Sequence, residues 1–258
     1  MTQKNKPSPG TNPIQVADRI FLVVEALADN GPMRLSDLVE TLKLNKTTIH
    51  RILNSLICMN YVAQDSASLK YRLTFKICDL ANKVLNKTDT VQIIRPFLQE
   101  LMNAAGETVH LVQLEGTHAI YIDKLESQQN TVRLVSQLGQ TLPLYSSGVG
   151  KALLAAMKNE QIKEILGGEK LISLTSNTIT DLSKLMGEID VIRNLGYAID
   201  DEENELGIKC IAAVIKISDM APQYAFSISA PIYRMGEERI EKLADLVLNT
   251  KGQIEAAL

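Results

Sequence analysis

Residues 45–59, NKTTIHRILNSLICM, contain the pattern that decides the fold of the first part of the chain. Five apolar side chains recur there at the three- and four-residue spacing of one helical face: Ile49, Ile52, Leu53, Leu56 and Ile57. The opposite face is polar and cationic, and side chains of these types contact phosphates and base edges in a DNA major groove. For this segment alone, a merely solvated face is an equal alternative, so the neighbouring segments must decide.

The segments before this helix favour a helix-turn-helix. Residues 14–29 are predicted to form a first helix that ends at Asn30-Gly31-Pro32. Its predicted inward stripe is Val16, Ile20, Val23, Val24 and Leu27. Residues 36–42 are predicted as a short second helix with Ser36 as N-cap, and Asn45 as N-cap of the third. Two helices joined by such a tight turn are typical of DNA-binding units in which the later helix reads the groove.

A β-hairpin pattern follows the third helix. The strands YVAQ (61–64) and KYRL (70–73) flank the polar tip 65–68, and the return strand carries two cations that can reach phosphate or the minor groove. Such a hairpin is a wing, and the alternative is a winged-helix module that binds protein. The predicted DNA contacts are Ser36, Lys46, Thr47, Thr48, His50, Arg51, Asn54, Lys70 and Arg72.

The rest of the chain has a mixed helix and strand periodicity. We predict a disordered tail over residues 1–13, a winged helix-turn-helix over 14–75, a linker helix over 76–88 and an α/β domain over 89–258, which makes the fold class α+β. The predicted strands are 108–114, 119–125, 132–136, 197–200, 208–217 and 224–230. The predicted helices of this domain are 90–105, one opening at the glycines from residue 148, 159–166, 181–195 and one from 236 onward.

Composition indicates a globular protein whose N-terminal part is basic. The net charge is −3, yet residues 1–75 hold nine Lys or Arg against six acids, and the remainder 18 against 24. A small DNA-contacting module joined to an acidic domain fits this asymmetry. No apolar run approaches the roughly 18 residues of a membrane span, and three scattered cysteines suggest neither disulfides nor a zinc site. We therefore expect a cytoplasmic protein without metal or cofactor.

The C-terminal region offers three candidate ligand-binding stretches. SSGVGKALL (146–154) lacks the spacing and the hydroxyl of a P-loop, but its helix N-terminus can hold a carboxylate. Its alternative is a plain strand-to-helix turn. The acidic loop at 200–205 either binds hydroxyls or a metal, or is simply solvated. Ser227 and Ser229 share one strand face, towards water or a polar pocket. We expect Cys210 to be a buried structural thiol. No Ser-His-Asp order supports nucleophilic catalysis.

LNKTTIHRILNSL, SSGVGKALLA and GYAIDDEENELGIKCIAA together resemble the IclR family of bacterial transcriptional regulators. The resemblance covers the chain from residue 14 onward, and Val214 departs from it where many members have proline. It implies a winged helix-turn-helix, a linker helix, a GAF/PAS-like effector-binding domain, and homodimers often paired into homotetramers. The effector-binding residues that it implies are Ser147, Gly148, Val149, Asp200, Ile208, Cys210, Ser227 and Ser229.

The sequence therefore predicts a sequence-specific DNA-binding regulator, a repressor of a catabolic operon, acting on a palindromic operator. ETVHLVQLEGTHAIYIDKLES and PLYSSGVGK look most like members that govern sugar-acid catabolism. The expected effector is a small organic acid such as 2-keto-3-deoxygluconate. The competing hypothesis is a metabolite-binding protein or an enzyme whose winged helix recruits protein partners. We expect no enzymatic activity, because no residue set supplies a base, a nucleophile and an orienting group together.

Overall fold

The computed structural model describes residues 14–86, 89–127, 134–168, 170–217 and 223–258. The chain forms two compact units, residues 1–87 and 88–258. The elements of the first unit are α1 (Gln15–Asn30), α2 (Leu35–Leu42), α3 (Lys46–Cys58), β1 (Val62–Gln64), β2 (Tyr71–Leu73) and α4 (Lys76–Asn86). The second contains α5 (Asp89–Ala105), β3 (Thr108–Glu115), β4 (His118–Leu125), β5 (Thr141–Pro143), α6 (Gly148–Ala155), α7 (Asn159–Leu166), α8 (Leu182–Leu195), β6 (Ala198–Asp201), β7 (Ile208–Ile215), β8 (Tyr224–Pro231) and α9 (Glu237–Ala257).

The first unit packs α1, α2 and α3 around one small core. The apolar face predicted for α3 is confirmed, since Ile49, Ile52, Leu53 and Leu56 are buried and Ile57 packs against them. The stripe predicted for α1 is confirmed except at its start: Val23 and Leu27 are buried and Ile20 and Val24 pack against the same core, whereas Val16, in the first turn, is 57% exposed.

The termini of the short helices are set by side chains close in sequence. Ser36 is not the N-cap of α2, so that prediction is wrong. Arg34 holds the N-cap position, its backbone N–H donates to the Asp37 carboxylate, and the Ser36 hydroxyl donates to the same carboxylate. Asp37 is thus the N3 residue whose side chain binds the N-cap N–H, as in a capping box, and the cap lies two residues before Ser36. Asn45 caps α3 as predicted by accepting from the Thr47 N–H at 2.9 Å.

The predicted hairpin is present as β1 paired antiparallel with β2. Asp65 closes its tip by accepting from both the N–H and the hydroxyl of Ser68, each at 2.7 Å. Met33 adds two backbone hydrogen bonds to Tyr71 on the other edge of β2. The wing is therefore tied to the chain segment that joins α1 to α2.

The second unit is an antiparallel sheet in the order β5-β4-β3-β8-β7-β6 with helices on both faces. Strand alternation divides its side chains. Leu111, Ile211, Phe226 and Ile228 pack on one face against α5 and α9. Val112, Ala212 and Ala225 pack on the other against α6 and α8. Small residues on this second face let α6 approach the sheet closely.

Two strands of the second unit differ from the prediction. The strand predicted over 132–136 is absent from its described part, residues 134–136, and residues 132–133 lie outside the described residues. The Lys124 ammonium satisfies the carbonyls of Leu134 and Ser136 instead of a strand ladder, at 2.8 and 2.9 Å. The short edge strand β5 was not predicted, because three residues are too few to show alternation. None of the described helices is long and apolar enough to cross a membrane.

Candidate functional sites

The outer face of α3 is fully available to a partner. Lys46, Thr47, His50, Arg51 and Asn54 are all exposed, whereas Thr48 is half-buried. Nδ1 of His50 lies 3.5 Å from Nδ2 of Asn54, one helical turn away. Two cations, an imidazole and an amide thus form one polar strip along the helix.

The other predicted DNA contacts flank this helix in the chain. Ser36 is exposed on α2, and its hydroxyl donates to Asp37. On the wing, Arg72 is exposed and Lys70 is half-buried. Asp65 at the hairpin tip has a lowered pKa because it accepts hydrogen bonds from Ser68, with a smaller contribution from Arg72.

The second candidate site is a cavity between the sheet and the N-terminus of α6. Strand register builds one wall: Asp200 of β6 lies opposite Cys210 of β7, and Cys210 lies opposite Ser229 of β8. Ser227 lies opposite His110 of β3. Side chains from four consecutive strands therefore point into one space. Ser227 and Ser229 face this polar pocket rather than water.

The α6 N-terminus forms the second wall. The Ser147 hydroxyl accepts from the Gly150 N–H at 3.2 Å and donates to the Pro143 carbonyl at 2.8 Å. The N–H groups of Gly148 and Val149 are first-turn donors without an intrahelical acceptor, and both residues line the cavity. A Cβ on Gly148 would lie 3.5 Å from Cβ of Asp200, so the carboxylate and the helix N-terminus are near neighbours.

Asp200 has a structural role as well as a place in the cavity. Its Oδ1 accepts from the N–H groups of Glu203 and Asn204 at 2.8 and 3.3 Å, which leaves Oδ2 for a ligand. Burial, with a contribution from the nearby Glu203, raises the pKa of Asp200 to about 7. Its carboxyl group is therefore protonated in a large fraction of molecules at neutral pH. The protonated group can donate a hydrogen bond as well as accept one.

The acidic loop is held by internal partners rather than simply solvated. Glu203 forms an ion pair with the fully buried Lys151, whose Nζ also lies 3.6 Å from Glu188. Asp201 pairs with Lys209 at 3.1 Å, and Glu202 accepts from the Gly207 N–H at 2.7 Å. In the described part of the chain, no three His, Cys, Asp or Glu side chains are arranged to hold a metal ion.

Several cavity residues were missed by sequence reasoning. They are His110, Tyr121, Leu134, Ser136, Leu142 and Asn204, whereas Glu205, which also lines the cavity, belongs to the acidic loop that was a candidate. His110 is 1% exposed, and its Nδ1 and Nε2 lie 3.3 Å from the Ser229 hydroxyl and 2.8 Å from the Ser136 hydroxyl. Its place at an inward position of β3 was a usable signal. Residues 134–142 gave no such signal, because that segment has no regular periodicity.

The Ser229–His110 contact resembles part of a hydrolase site, but its chemistry differs. The second imidazole nitrogen contacts a serine, not a carboxylate that would orient and stabilise an imidazolium. Burial, together with the charge of Lys124, lowers the pKa of His110 to about 3. Such an imidazole is a poor general base at neutral pH. Burial also raises the pKa of the Cys210 thiol, so Cys210 does not supply a thiolate.

The cavity has a small inner chamber and a wider mouth. The inner chamber is about 50 Å³, and an outer depression of about 500 Å³ adjoins it. Five residues line both: Tyr121, Ser136, Leu142, Asn204 and Glu205. The chamber fits a carboxylate or keto acid head group, while the mouth has room for a longer polar chain and carries Gln137 and Gln140.

Family models match both units of the chain. The IclR helix-turn-helix domain matches residues 16–66, and the C-terminal domain of the bacterial transcriptional regulator IclR matches residues 82–256. The chain belongs to the IclR family. As a member of this family it is a DNA-binding transcriptional regulator, as its helix-turn-helix and exposed α3 face had indicated.

Individual relatives of this IclR-family chain agree with that assignment. It is 32% identical over 240 residues to the HTH-type transcriptional regulator KdgR of Escherichia coli, covering 93% of this chain and 91% of that protein. It is 31% identical over 245 residues to the transcriptional repressor AllR of the same species, covering 95% and 90%. The crystal structure of Thermotoga maritima IclR matches with a TM-score of 0.79 at 30% identity, over 93% of this chain and 97% of that one.

Proposed function

We propose that this IclR-family regulator is a repressor of a catabolic operon, and that a small carboxylic acid bound by its C-terminal unit controls its affinity for DNA. The preferred effector is a sugar acid of the 2-keto-3-deoxygluconate type. One observation carries the effector assignment: the first-turn N–H groups of α6, Asp200 and the Ser227–Ser229 pair all face the same cavity. Relatives named as transcriptional repressors or regulators support the regulatory role.

The chemistry of the cavity favours a hydroxylated acid. The N–H groups of Gly148 and Val149 lie at the positive end of the α6 dipole and suit one carboxylate. Oδ2 of Asp200 and the hydroxyls of Ser227 and Ser229 can bind hydroxyl or keto oxygens beyond that carboxylate. An aromatic acid would leave these polar groups without partners, which costs roughly 1–3 kcal/mol for each buried group.

The size of the cavity favours a short acid with a polar tail. A three-carbon keto acid fills the inner chamber, whereas a six-carbon sugar acid extends into the mouth. There Asn204, Glu205, Gln137 and Gln140 offer polar side chains to its terminal hydroxyls. A fatty acid of equal length would meet the same polar groups without satisfying them.

We further propose a homodimer on a palindromic operator, with dimers pairing into tetramers. In the N-terminal unit, Phe21 and Leu22 of α1 are 63% and 43% exposed, and Phe75 just before α4 is 86% exposed. Apolar side chains at this exposure are common where protein surfaces associate. A two-fold dimer presents two α3 helices, so it requires inverted half-sites about one helical turn or a multiple of it apart.

The test is a gel-shift titration of the full chain on the DNA upstream of its own gene and neighbouring operons. We expect binding that excess random-sequence DNA does not displace at physiological salt, and an inverted repeat within the protected region. Binding without sequence preference would contradict the proposed regulatory function. Turnover of a sugar acid by the purified chain would instead favour the competing enzyme hypothesis.

A further inference from the structure

We propose that Lys76 is a positioning residue for operator recognition. Its ammonium fixes the direction of α4 relative to α3, and thereby the spacing of the two half-sites that a dimer binds. This inference rests on the proposed homodimer and its palindromic operator. The contacts that carry it lie within the first unit, where residues 74–76 meet the chain just after α3.

The C-terminal end of α3 is closed by its own backbone. Asn60 adopts the left-handed conformation with φ of 61°, and its N–H donates to the Ile57 carbonyl at 2.9 Å. The Tyr61 N–H donates to the Leu56 carbonyl, also at 2.9 Å. This is the Schellman arrangement, in which residues after a helix satisfy the carbonyls of its last turn. The carbonyls of residues 59–61 accept from another segment.

That segment is the start of α4, and each of the three carbonyls accepts one bond from it. The Lys76 ammonium donates to the Met59 carbonyl at 2.8 Å. The Thr74 hydroxyl donates to the Asn60 carbonyl at 2.6 Å, and the Thr74 N–H donates to the Tyr61 carbonyl at 2.9 Å. Nζ of Lys76 also lies 4.4 Å from the centroid of the Tyr61 ring, within cation–π range. The ammonium is favoured there because a helix C-terminus carries partial negative charge.

Lys76 and Thr74 act on different properties of α4. Thr74 precedes the helix, so its two bonds fix where α4 begins, whereas Lys76 lies in the first turn and fixes how α4 is directed. Apolar packing fixes that direction weakly, since Ile77 is half-buried and the other described side chains over residues 76–84 are exposed. A charge-assisted hydrogen bond is roughly twice as strong as a neutral one. Loss of the ammonium should therefore leave α4 attached at Thr74 but able to tilt.

A small tilt of α4 is enough to change the half-site spacing. The helix has 11 residues and is therefore about 16 Å long. A tilt of roughly 10° about its first turn moves its far end by about 3 Å, close to the rise of one base pair, about 3.4 Å. The C-terminal unit follows α4 in the chain. Any dimer contact made by α4 or by that unit is therefore connected to α3 through the junction at Lys76.

The experiment measures binding of the full chain to a series of inverted repeats by fluorescence anisotropy. The spacers run from two base pairs shorter to two base pairs longer than in the operator, and a single half-site is included. Two base pairs rotate one half-site by about 70° relative to the other. For wild type we therefore expect binding at least about tenfold weaker at the changed spacings.

Three variants separate the ammonium from its surroundings. Lys76→Met keeps the length of the side chain and removes the charge, so the spacing penalty should fall to within about threefold. Lys76→Arg keeps a cation that can donate and stack, and should retain the wild-type penalty. Lys83 lies in the same helix and pairs with Asp79 at 2.6 Å. Lys83→Met removes the same charge away from residues 59–61 and should also retain the penalty.

The single half-site separates positioning from direct contact with DNA. It engages one α3, so all four proteins should bind it within about twofold of one another and with equal salt slopes. Weaker half-site binding by Lys76→Met with a salt slope lower by about one would make Lys76 a phosphate contact and overturn the proposal. A spacing penalty unchanged in Lys76→Met would overturn it as well, while leaving the proposed homodimer intact. If wild type shows no spacing preference, the proposed homodimer fails together with this inference.

Discussion

The ammonium of Lys151 and the carboxylate of Glu203 form a buried ion pair inside the C-terminal unit. Lys151 lies on α6, whose first turn lines the cavity, and Glu203 lies in the loop that Asp200 itself holds through two backbone hydrogen bonds. Nζ of Lys151 is inaccessible to solvent, and Oε2 of Glu203 is buried with no hydrogen-bond partner in the described structure. The two walls of the cavity are thus joined by one buried charge pair.

Removing one member of this pair should destabilise the C-terminal unit strongly. Lys151→Met leaves the Glu203 carboxylate buried without its counter-charge, and we expect a loss of about 3–5 kcal/mol in the free energy of unfolding. The double variant Lys151→Met/Glu203→Leu should be more stable than Lys151→Met alone, because neither charge remains. Urea unfolding followed by circular dichroism measures both. A single variant within about 0.5 kcal/mol of wild type would show that the pair is not buried as described.

Two glycines two residues apart should respond differently to alanine. A Cβ on Gly150 would lie 2.5 Å from the backbone of Leu144, so Gly150→Ala must displace backbone and should cost about 1–3 kcal/mol. A Cβ on Gly148 meets Ala212 and Asp200 at 3.4 and 3.5 Å, which is ordinary contact. Gly148→Ala should therefore fold normally. Thermal unfolding compares the two, and equal losses would contradict the close packing assigned to α6 and residue 144.

Affinity for an acid effector should fall as the pH rises through 7. An exposed aspartate titrates near 3.8, but burial and the nearby Glu203 raise the pKa of Asp200 to about 7. A bound carboxylate disfavours the ionised form further, so binding above pH 7 takes up a proton and weakens by up to tenfold per pH unit. Its neighbours His110, Cys210 and Tyr121, with pKa values shifted well away from neutrality, do not titrate in this range.

Titration calorimetry with gluconate at pH 6, 7 and 8 checks this pH dependence. Asp200→Asn keeps an oxygen that can accept from the Glu203 and Asn204 N–H groups but cannot ionise. Its affinity should be flat over the same range. A flat profile in wild type, or the same slope in both proteins, would rule out Asp200 as the group that takes up the proton.

We expect the outer face of α3 to determine sequence specificity. We expect the wing to contribute an attraction to phosphate that does not depend on sequence. Arg51→Ala should weaken operator binding by about 1–3 kcal/mol, the range for losing one good base contact. Lys70→Ala should weaken binding to all sequences alike and lower the salt slope by about one. Lys163 lies on α7 in the C-terminal unit, so Lys163→Ala is the matched control for charge. Fluorescence anisotropy of operator and random DNA, measured against salt concentration, separates the three variants. Equal losses of affinity in all three would contradict the roles assigned to α3 and the wing.

Much of the fold was predictable because its signals are local. The face of α3, the hairpin and the long strands β3, β7 and β8 each repeat with a period that the sequence displays. Ser36 was assigned the wrong role because α2 begins at Leu35, with Arg34 as N-cap and its N–H bound by the Asp37 carboxylate. Which of several polar residues caps a helix depends on local geometry that a sequence pattern does not contain.

The candidate site was predictable in part. The glycines from residue 148 indicated a helix N-terminus that can hold a carboxylate, and alternation put Ser227 and Ser229 on one strand face, towards water or a polar pocket. The register that puts Asp200 opposite Cys210 is a property of the folded sheet. The ion pair of Lys151 was not predictable, because its buried partner, Glu203, is 52 residues away in the chain. Ser136 joins the site through an irregular segment held by Lys124, for which no sequence periodicity exists.

The most direct test of the account is whether an acid bound in the cavity changes the affinity of the full chain for its operator. Operator binding is measured by fluorescence anisotropy at pH 7 with and without saturating 2-keto-3-deoxygluconate, alongside benzoate. We predict that the sugar acid changes the operator dissociation constant by roughly 5- to 150-fold, the usual range of coupling between two sites, and that benzoate does not. An unchanged dissociation constant with the sugar acid, or a change produced by benzoate alone, would contradict it.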